Sequence, residues 1–389
     1  MGNRNTALFQ SLKELPTPLH QSQCILHKHE LLICGGRNER ACYSYHTLKN
    51  EYKFICEYPS KVKLFGHCVV KLLDSNKDSN ETTLLSFGGY YDHTLIMKYV
   101  SVWSDDNNNE NDDNETNKLN KLKNYNQWIP FTDNNNNPIH IRNVNYNGVR
   151  AVIGGSNNHL LFTTYHKKNI SVFNLNTFKF IKHDTLPTNN EIFHPCFVLN
   201  SENGQGQEMM NTNQEKNKNE MLLFHKGTGL LIKYDEDRNI FQFHQLPVYK
   251  SNTPFIAYGC VCINDIILFF GGWNCPNALK SVHKYSIREN KWTTFENTLP
   301  NPLHHCVAIL NEEDNHIHII GGLNEKSNEV STHIKTKARL WGSSLLVMIC
   351  FFLKDDIKFI IQNWVRTLKI KLGWIDDFDQ IIFKYSRIK

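Results

Sequence analysis

The chain of 389 residues is 40% hydrophobic and carries a formal charge of +5, which leaves ample apolar material for a large core. The positive charge is spread out, with no basic run of the kind that arms a protein for nucleic acid, so nucleic acid is not an expected partner. Eleven cysteines, an odd number without paired spacing, suit a reducing compartment better than a disulfide framework.

Met1-Gly2-Asn3-Arg4-Asn5-Thr6 has no apolar stretch of the secretory type. The longest uninterrupted apolar run, Leu345 to Leu353, is nine residues long, where a helix needs about twenty to span a bilayer. The expectation is a soluble, cytoplasmic protein in which the Asn-x-Ser/Thr acceptors at Asn80, Asn114 and Asn169 have no role.

From the amino terminus onward, one pattern recurs. A small residue, usually cysteine, opens a β-run, a second hydrophobic run follows, and an aromatic segment comes next. In the first unit Cys24-Ile25-Leu26 precedes Leu31-Leu32-Ile33-Cys34-Gly35-Gly36, with Tyr45 downstream. In the second, Cys68-Val69-Val70 precedes Leu84-Leu85-Ser86-Phe87-Gly88-Gly89, followed by Tyr99 and Trp128. The third opens with Ala151-Val152-Ile153 in the cysteine's place. Its Gly154-Gly155 comes too soon to end a second strand and reads as a hairpin turn. Leu160-Leu161-Phe162-Thr163-Thr164 then supplies the second run, and Phe178 the bulky closing residue.

The fourth unit has Cys196-Phe197-Val198, then Leu222-Leu223-Phe224-His225-Lys226 where a diglycine should end, then Tyr234 and Phe241. The fifth returns to the full pattern, with Cys260, Ile267-Leu268-Phe269-Phe270-Gly271-Gly272, Tyr285 and Trp292. The sixth has Cys306, Ile317-His318-Ile319-Ile320-Gly321-Gly322 and, instead of a tyrosine, Ser331-Thr332-His333-Ile334. Leu-Pro or Pro-Thr-Pro precedes several units, which suits an extended lead-in where no ladder donor is needed. Units of 45–50 residues built from short strands are the mark of a β-propeller.

The diglycines, the tyrosines Tyr45, Tyr99, Tyr234 and Tyr285, and the closing residues Trp128, Phe178, Phe241 and Trp292 resemble the kelch-repeat family over residues 8–341. The resemblance implies an all-β, six-bladed kelch-type propeller, with five to seven blades compatible with the missing diglycines. Blades are expected near 16–60, 61–131, 139–182, 186–244, 246–296 and 299–341. Leu8 to Leu12 is placed in the last blade as a clasp between the chain ends, which removes a sheet edge.

Three polar stretches, 107–120, 133–137 and 201–220, hold almost no apolar residue and are expected to be disordered insertions. From Asp355 the period changes. Ile357, Ile360, Ile361, Trp364, Val365 and Leu368 fall on one stripe, so residues 355–389 are expected to form an amphipathic helical tail packed against the propeller or a second copy, in a partner's groove or on a membrane surface. The apolar run 343–353 fits none of these patterns.

Nineteen histidines invite a metal, but His67, His194, His304 and His305 sit at equivalent places in different units. On that ground they are expected to lie apart around the ring. His316 and His318 share a strand face without a marked third ligand. No nucleophile elbow, phosphate loop or zinc-protease signature occurs, and the carboxylates fall mostly in the polar stretches. No cofactor and no catalytic residue is therefore assigned.

In the kelch resemblance, the loops after the diglycines and the lead-in loops share one face, where partners dock. That implies Arg37, Tyr90, Tyr91, His93, Trp273 and Asn324, with His20 and Tyr258, as candidate partner-binding residues of the kind that anchor protein interfaces. Met1-Gly2-x-x-x-Thr6 also fits the N-myristoylation pattern at Gly2, and membrane association is expected only if Gly2 is acylated. The functional expectation is a non-enzymatic protein-interaction scaffold. A ubiquitin-ligase substrate adaptor is the alternative within that class, and a kelch-fold enzyme such as a metal oxidase or sugar-acid isomerase the alternative outside it.

Overall fold

The runs that end in Gly-Gly are hydrophobic along their length rather than alternating, the pattern of a strand covered on both faces. In the computed structural model, which describes residues 8–72, 80–103, 125–141, 145–200, 219–249 and 255–342, each is the second strand of a blade. Ahead of the first blade lies β1 (Gln10–Ser11). Blade 1 is β2 (Gln23–His27), β3 (Glu30–Gly36), β4 (Glu39–His46) and β5 (Glu51–Glu57). Blade 2 is β6 (His67–Leu72), β7 (Glu81–Gly88), β8 (Thr94–Val100) and β9 (Ile129–Pro130). Blade 3 is β10 (Arg150–Gly154), β11 (Leu160–Tyr165), β12 (Asn169–Asn174) and β13 (Lys179–Thr185).

Blade 4 is β14 (Cys196–Leu199), β15 (Glu220–His225), β16 (Thr228–Asp235) and β17 (Ile240–Gln245). Blade 5 is β18 (Gly259–Ile263), β19 (Ile266–Phe270), β20 (Val282–Ser286) and β21 (Lys291–Thr294). Blade 6 is β22 (Val307–Asn311), β23 (His316–Ile320) and β24 (His333–Lys337). Its fourth strand is β1, with Gln10 opposite Lys335 and Ser11 opposite Ile334. The result is six four-stranded antiparallel sheets, the expected six-bladed β-propeller. The first strands are innermost: β2 adjoins both β6 and β22, and β10 adjoins β6 and β14. The chain divides into a unit from Met1 to Ala338, which holds every blade, and a second from Arg339 to Lys389.

Burial follows from this arrangement. β3, β11 and β19 are buried at every position because a neighbouring blade covers each face. The outer strand β13 alternates between exposed and half-buried, so its polar residues have somewhere to point. The core is the set of seams between blades. Leu32 of blade 1 packs with Leu84, Met97 and Trp128 of blade 2, and Phe162 of blade 3 with Leu223 and Ile232 of blade 4. Leu31 and Ile33 of blade 1 meet Ile320 of blade 6, which closes the ring. Each such side chain contributes about 1.5–3 kcal/mol of transfer free energy.

The tyrosines that mark the repeat have a common task. The hydroxyls of Tyr45, Tyr234 and Tyr285 donate to Asn50, Asn239 and Asn290 at 2.8, 2.8 and 2.5 Å. Each asparagine stands five residues on, in the left-handed conformation (φ 53, 55 and 52), which asparagine tolerates better than most residues. The tyrosine thus fixes the turn into the fourth strand. Tyr99 departs from this and donates instead to Glu30 of blade 1.

The diglycines are where consecutive blades touch. Gly271 has φ +64, and a Cβ there would lie 2.0 Å from the carbonyl oxygen of Leu303 in the lead-in of blade 6. Gly321 has φ +61, and its Cβ would lie 2.4 Å from the carbonyl oxygen of Leu19, in the lead-in of blade 1. Blades 3 and 4 dispense with the diglycine by turning sooner. Tyr165 pairs with Asn169 and His225 with Thr228, around Lys167 and Lys226 at φ 63 and 51. Gly154 pairs with Leu160 and Gly155 opens the turn between them, so that pair is a hairpin turn as the sequence suggests.

One stretch expected to be disordered is an ordered loop. Asp133 Oδ1 accepts from the backbone N–H groups of Asn135 and Asn137, both at 2.8 Å, and Asn137 Nδ2 donates to its Oδ2 at 3.0 Å. A single aspartate ties the 133–137 segment into an Asx-type turn, which polar composition alone conceals. At the end of the 201–220 stretch, Glu220 belongs to β15. The remainder of that stretch, the 107–120 stretch, Gly2, the 343–353 run and the tail over 355–389 lie outside the described residues.

Replacing Gly271 by alanine forces a left-handed alanine against backbone, and the expected loss is roughly 3 kcal/mol. Gly227 has no heavy atom nearer than 4.0 Å to its would-be Cβ, so Gly227→Ala should change stability by less than about 0.5 kcal/mol. Urea denaturation of the two variants beside the parent measures both. Equal midpoints for the two variants would contradict the blade-contact role of the diglycine.

Candidate functional site

The lead-in to every first strand passes through one left-handed residue. These are Gln21, Gly66, Gly148, His194, Ala257 and His305, at φ 55, 69, 71, 48, 56 and 54. They hydrogen-bond from blade to blade: Gly148 N–H to Gly66 O at 2.9 Å, His194 N–H to Gly148 O at 3.0 Å, His305 N–H to Ala257 O at 2.6 Å and Gln21 N–H to His305 O at 3.1 Å. The lead-in turns therefore draw together around the axis. His194 and His305, expected to stand apart, do not. The rings of His194 and His305 are 6.0 Å apart and those of His20 and His305 6.2 Å apart, because residues equivalent by rotation converge where the circumference is shortest.

Inside this collar is a pocket of about 140 Å³, lined among others by Gln21, Ser22, Arg150, His194, Cys260 and His305. That volume holds a few waters or a small ion, against the roughly 300–1,000 Å³ of sites for larger organic ligands. No aspartate or glutamate lines it. Arg150 opens β10 half-buried and lines the pocket, and its Nη1 donates to Val149 O at 2.7 Å.

The imidazoles here are neutral. Burial pushes His194 well below its ordinary range, helped by the positive charge of Arg150. Burial likewise brings His305 down to about 3, with His304, His20, Arg37 and Arg150 adding to the effect. Cys260 moves the other way from most buried thiols. A hydrogen bond from the Cys196 thiol holds it below its usual value, and Arg150 reinforces this against the effect of burial.

The same face carries a second cluster, at the seam of blades 1 and 2. Tyr90 and Tyr91, in the loop after the second diglycine, are 58% and 52% exposed, with their rings edge to face at 5.0 Å. Phe65 lies 6.0 Å from Tyr90, centroid to centroid. The Arg37 guanidinium sits 4.3 Å above Phe65, and Lys63 Nζ lies 5.4 Å from the Tyr91 ring. Backbone bonds hold the loops together, Arg37 N–H to His20 O and Tyr90 N–H to Phe65 O, both at 2.9 Å. Phe65 and Lys63 escaped the sequence reading because neither belongs to the repeat pattern. Their only signal is adjacency to the lead-in glycine Gly66.

The other candidate docking residues face inward or serve the loops. His93 is buried and its Nε2 lies 2.8 Å from Ser86 Oγ, inside blade 2 rather than on its surface. Tyr258 is buried, and its hydroxyl donates to Phe224 O at 2.7 Å, tying blade 5 to blade 4. His20 is buried with its Nδ1 2.8 Å from Glu329 Oε1. Trp273 is half-buried, its ring 4.7 Å from that of His304 on the next blade. Asn324 accepts from the N–H groups of Lys326 and Asn328 and so shapes its own loop. Of the eight, only Arg37, Tyr90 and Tyr91 are brought together on an open surface.

His316 and His318 part company as well. His316 Nδ1 is 3.3 Å from Asp314 Oδ2, whereas His318 Nδ1 is 2.9 Å from His333 Nε2. Among the described residues no group of three or more His, Cys, Asp or Glu side chains is arranged to hold a metal ion.

Keeping histidines neutral makes the fold acid-sensitive. Burial lowers His67 and His225 to about 3 and His318 to about 4, while in the unfolded chain each takes up a proton near its ordinary value of about 6.5. The unfolded state thus binds more protons below that pH. Stability is fully present above about 6.5 and falls by up to about 1.4 kcal/mol per pH unit for each such histidine as the pH drops toward the folded values. Urea midpoints should fall steeply between pH 6.5 and 4.5, and a flat profile across that range would refute neutral burial.

Residues 254–297, spanning blade 5, match the Kelch motif. Among solved structures the chain is similar to that of YjhT, at 13% identity over 83% of this chain and 95% of that one, with a TM-score of 0.49. No curated protein matches the sequence. With the diglycine and tyrosine marks recurring around the ring, the chain is a six-bladed β-propeller that carries a Kelch motif in its fifth blade.

Proposed function

We propose that the protein is a non-enzymatic interaction module that docks a partner protein at the seam of blades 1 and 2. The observation that carries this reading is the exposed Tyr90–Tyr91 pair braced by Phe65 and flanked by Arg37 and Lys63. Large exposed side chains are normally scattered singly, and Phe54, Ile181 and Ile240 on separate outer strands are of that kind. Two tyrosines already ordered against their neighbours lose little side-chain freedom on binding, which favours them as interface anchors. The two cations at the edges suit a partner segment carrying acidic side chains beside apolar ones.

A cytoplasmic setting accords with the free thiols of all ten described cysteines. No helix among the described residues is long and apolar enough to cross a membrane. The lowered protonation of the half-buried His194 and His305, beside a pocket lining that offers no carboxylate partner, supports a scaffold over acid–base turnover.

The test is affinity purification with the full chain as bait, comparing the parent with the Tyr90→Ala/Tyr91→Ala double variant and with Phe54→Ala. Loss of one hot-spot aromatic weakens an interface by about 2 kcal/mol, or roughly thirtyfold. Partners recovered by the parent and by Phe54→Ala should be depleted at least about tenfold with the double variant. A partner set indifferent to the double variant, or stoichiometric metal with turnover in the purified protein, would overturn the reading.

A further inference from the structure

We propose that the axial pocket binds a small free oxyanion of carboxylate size, with Arg150 as its charge partner. Arg150 is the one lysine or arginine lining the pocket, and the lining includes no carboxylate to balance it. A guanidinium has five N–H donors, and the hydrogen bond to Val149 O occupies only one nitrogen. Arg150 is half-buried, and a charge drawn partly out of water without a counter-charge is costly unless something compensates it.

The surroundings are prepared for an acceptor. Gln21 is 7% exposed and its Oε1 has no hydrogen-bond partner, and the same holds for Nδ1 of His194. The Gln21 amide can turn its NH2 group toward the pocket, and a neutral imidazole still has one N–H to donate. Because the histidines stay neutral, Arg150 is the only full positive charge among the lining residues, which matches a monoanion. The flat fork of the guanidinium favours a planar carboxylate over a spherical ion. The volume of about 140 Å³ admits formate, acetate or inorganic phosphate and leaves no room for a nucleotide or a sugar.

A rival counter-charge is the thiolate of Cys260, whose proton affinity Arg150 helps to lower. If the thiolate fills that role, removing the thiol should vacate it, so the two explanations separate by mutation.

The experiment is titration of the full chain with 13C-formate at pH 7 in low chloride, followed by line broadening, with inorganic phosphate as competitor. Saturable binding in the parent, displaced by phosphate, is expected. Cys260→Ser should bind formate at least as tightly, and Arg238→Gln, whose side chain is 77% exposed far along blade 4, should bind like the parent. Arg150→Gln should weaken binding at least about tenfold, as loss of a charge-assisted pair does. If that variant fails to fold, Arg150→Lys takes its place: it keeps the charge, loses the fork and should bind several-fold more weakly. No saturable binding in the parent, or undiminished binding in the folded arginine variant, overturns the proposal. Neither result touches the blade 1–2 docking surface, which a separate measurement tests.

Discussion

The collar of left-handed residues around the axis is the constraint on which the rest of this propeller depends. Each blade starts with its backbone bent into a region that L-residues avoid, and four of the six residues that do so, Gln21, His194, Ala257 and His305, are not glycine. Such residues cost roughly 1–3 kcal/mol each. Bonds from one lead-in turn to the preceding one offset that cost: His194 N–H to Gly148 O, His305 N–H to Ala257 O and Gln21 N–H to His305 O. The last of these joins blade 1 to blade 6, beside the β1–β24 pairing that joins the chain ends. Closure is thus made twice, once at the axis and once at the rim.

Bending the chain this way also decides what the middle of the ring contains. A left-handed lead-in turns the next residues onto the innermost strand, so that Gln23, Cys68, Arg150, Cys196, Gly259 and Val307 all stand two positions beyond it. In five blades that place is filled by a neutral residue, and in blade 3 by an arginine. A single charge in an otherwise uncharged collar gives the axis a polarity that the repeat itself does not have. The diglycines serve the same geometry from the other side. Gly271 and Gly321 let the end of one blade's second strand lie directly against the lead-in of the next, which a Cβ would prevent.

How far the sequence reveals this depends on how local the cause is. The diglycine is a local requirement of backbone space and φ, and it was legible wherever it occurs, as was the tyrosine that fixes a turn five residues on. The cysteine mark was a weaker ruler. Relative to the left-handed residue, Cys306 stands one position on, Cys68 and Cys196 two, and Cys24 and Cys260 three. What the inner strands need there is a small side chain, and several neighbouring positions satisfy that. The collar itself was hidden because only Gly66 and Gly148 announce it by residue type. Arg150 was hidden because nothing in Val149-Arg150-Ala151 distinguishes an axial arginine from one at a strand's exposed end. Long-range convergence is what brings it to the axial pocket, and one chain read linearly does not contain that.

The two clusters on this face, though separate in structure, share an electrostatic field. Arg37 at the seam of blades 1 and 2 and Arg150 of the axial pocket both depress the protonation of His305, and Arg37 acts on His20 as well. Glu329, 2.8 Å from His20, opposes Arg37 there. Protonating any of these imidazoles would add a further positive charge beside Arg37 and Arg150. Neutral histidines therefore allow Arg37 and Arg150 to coexist on a closed ring of backbone. The positive charge of this face thus comes from particular side chains at the seam and the axis rather than from the net charge of the chain.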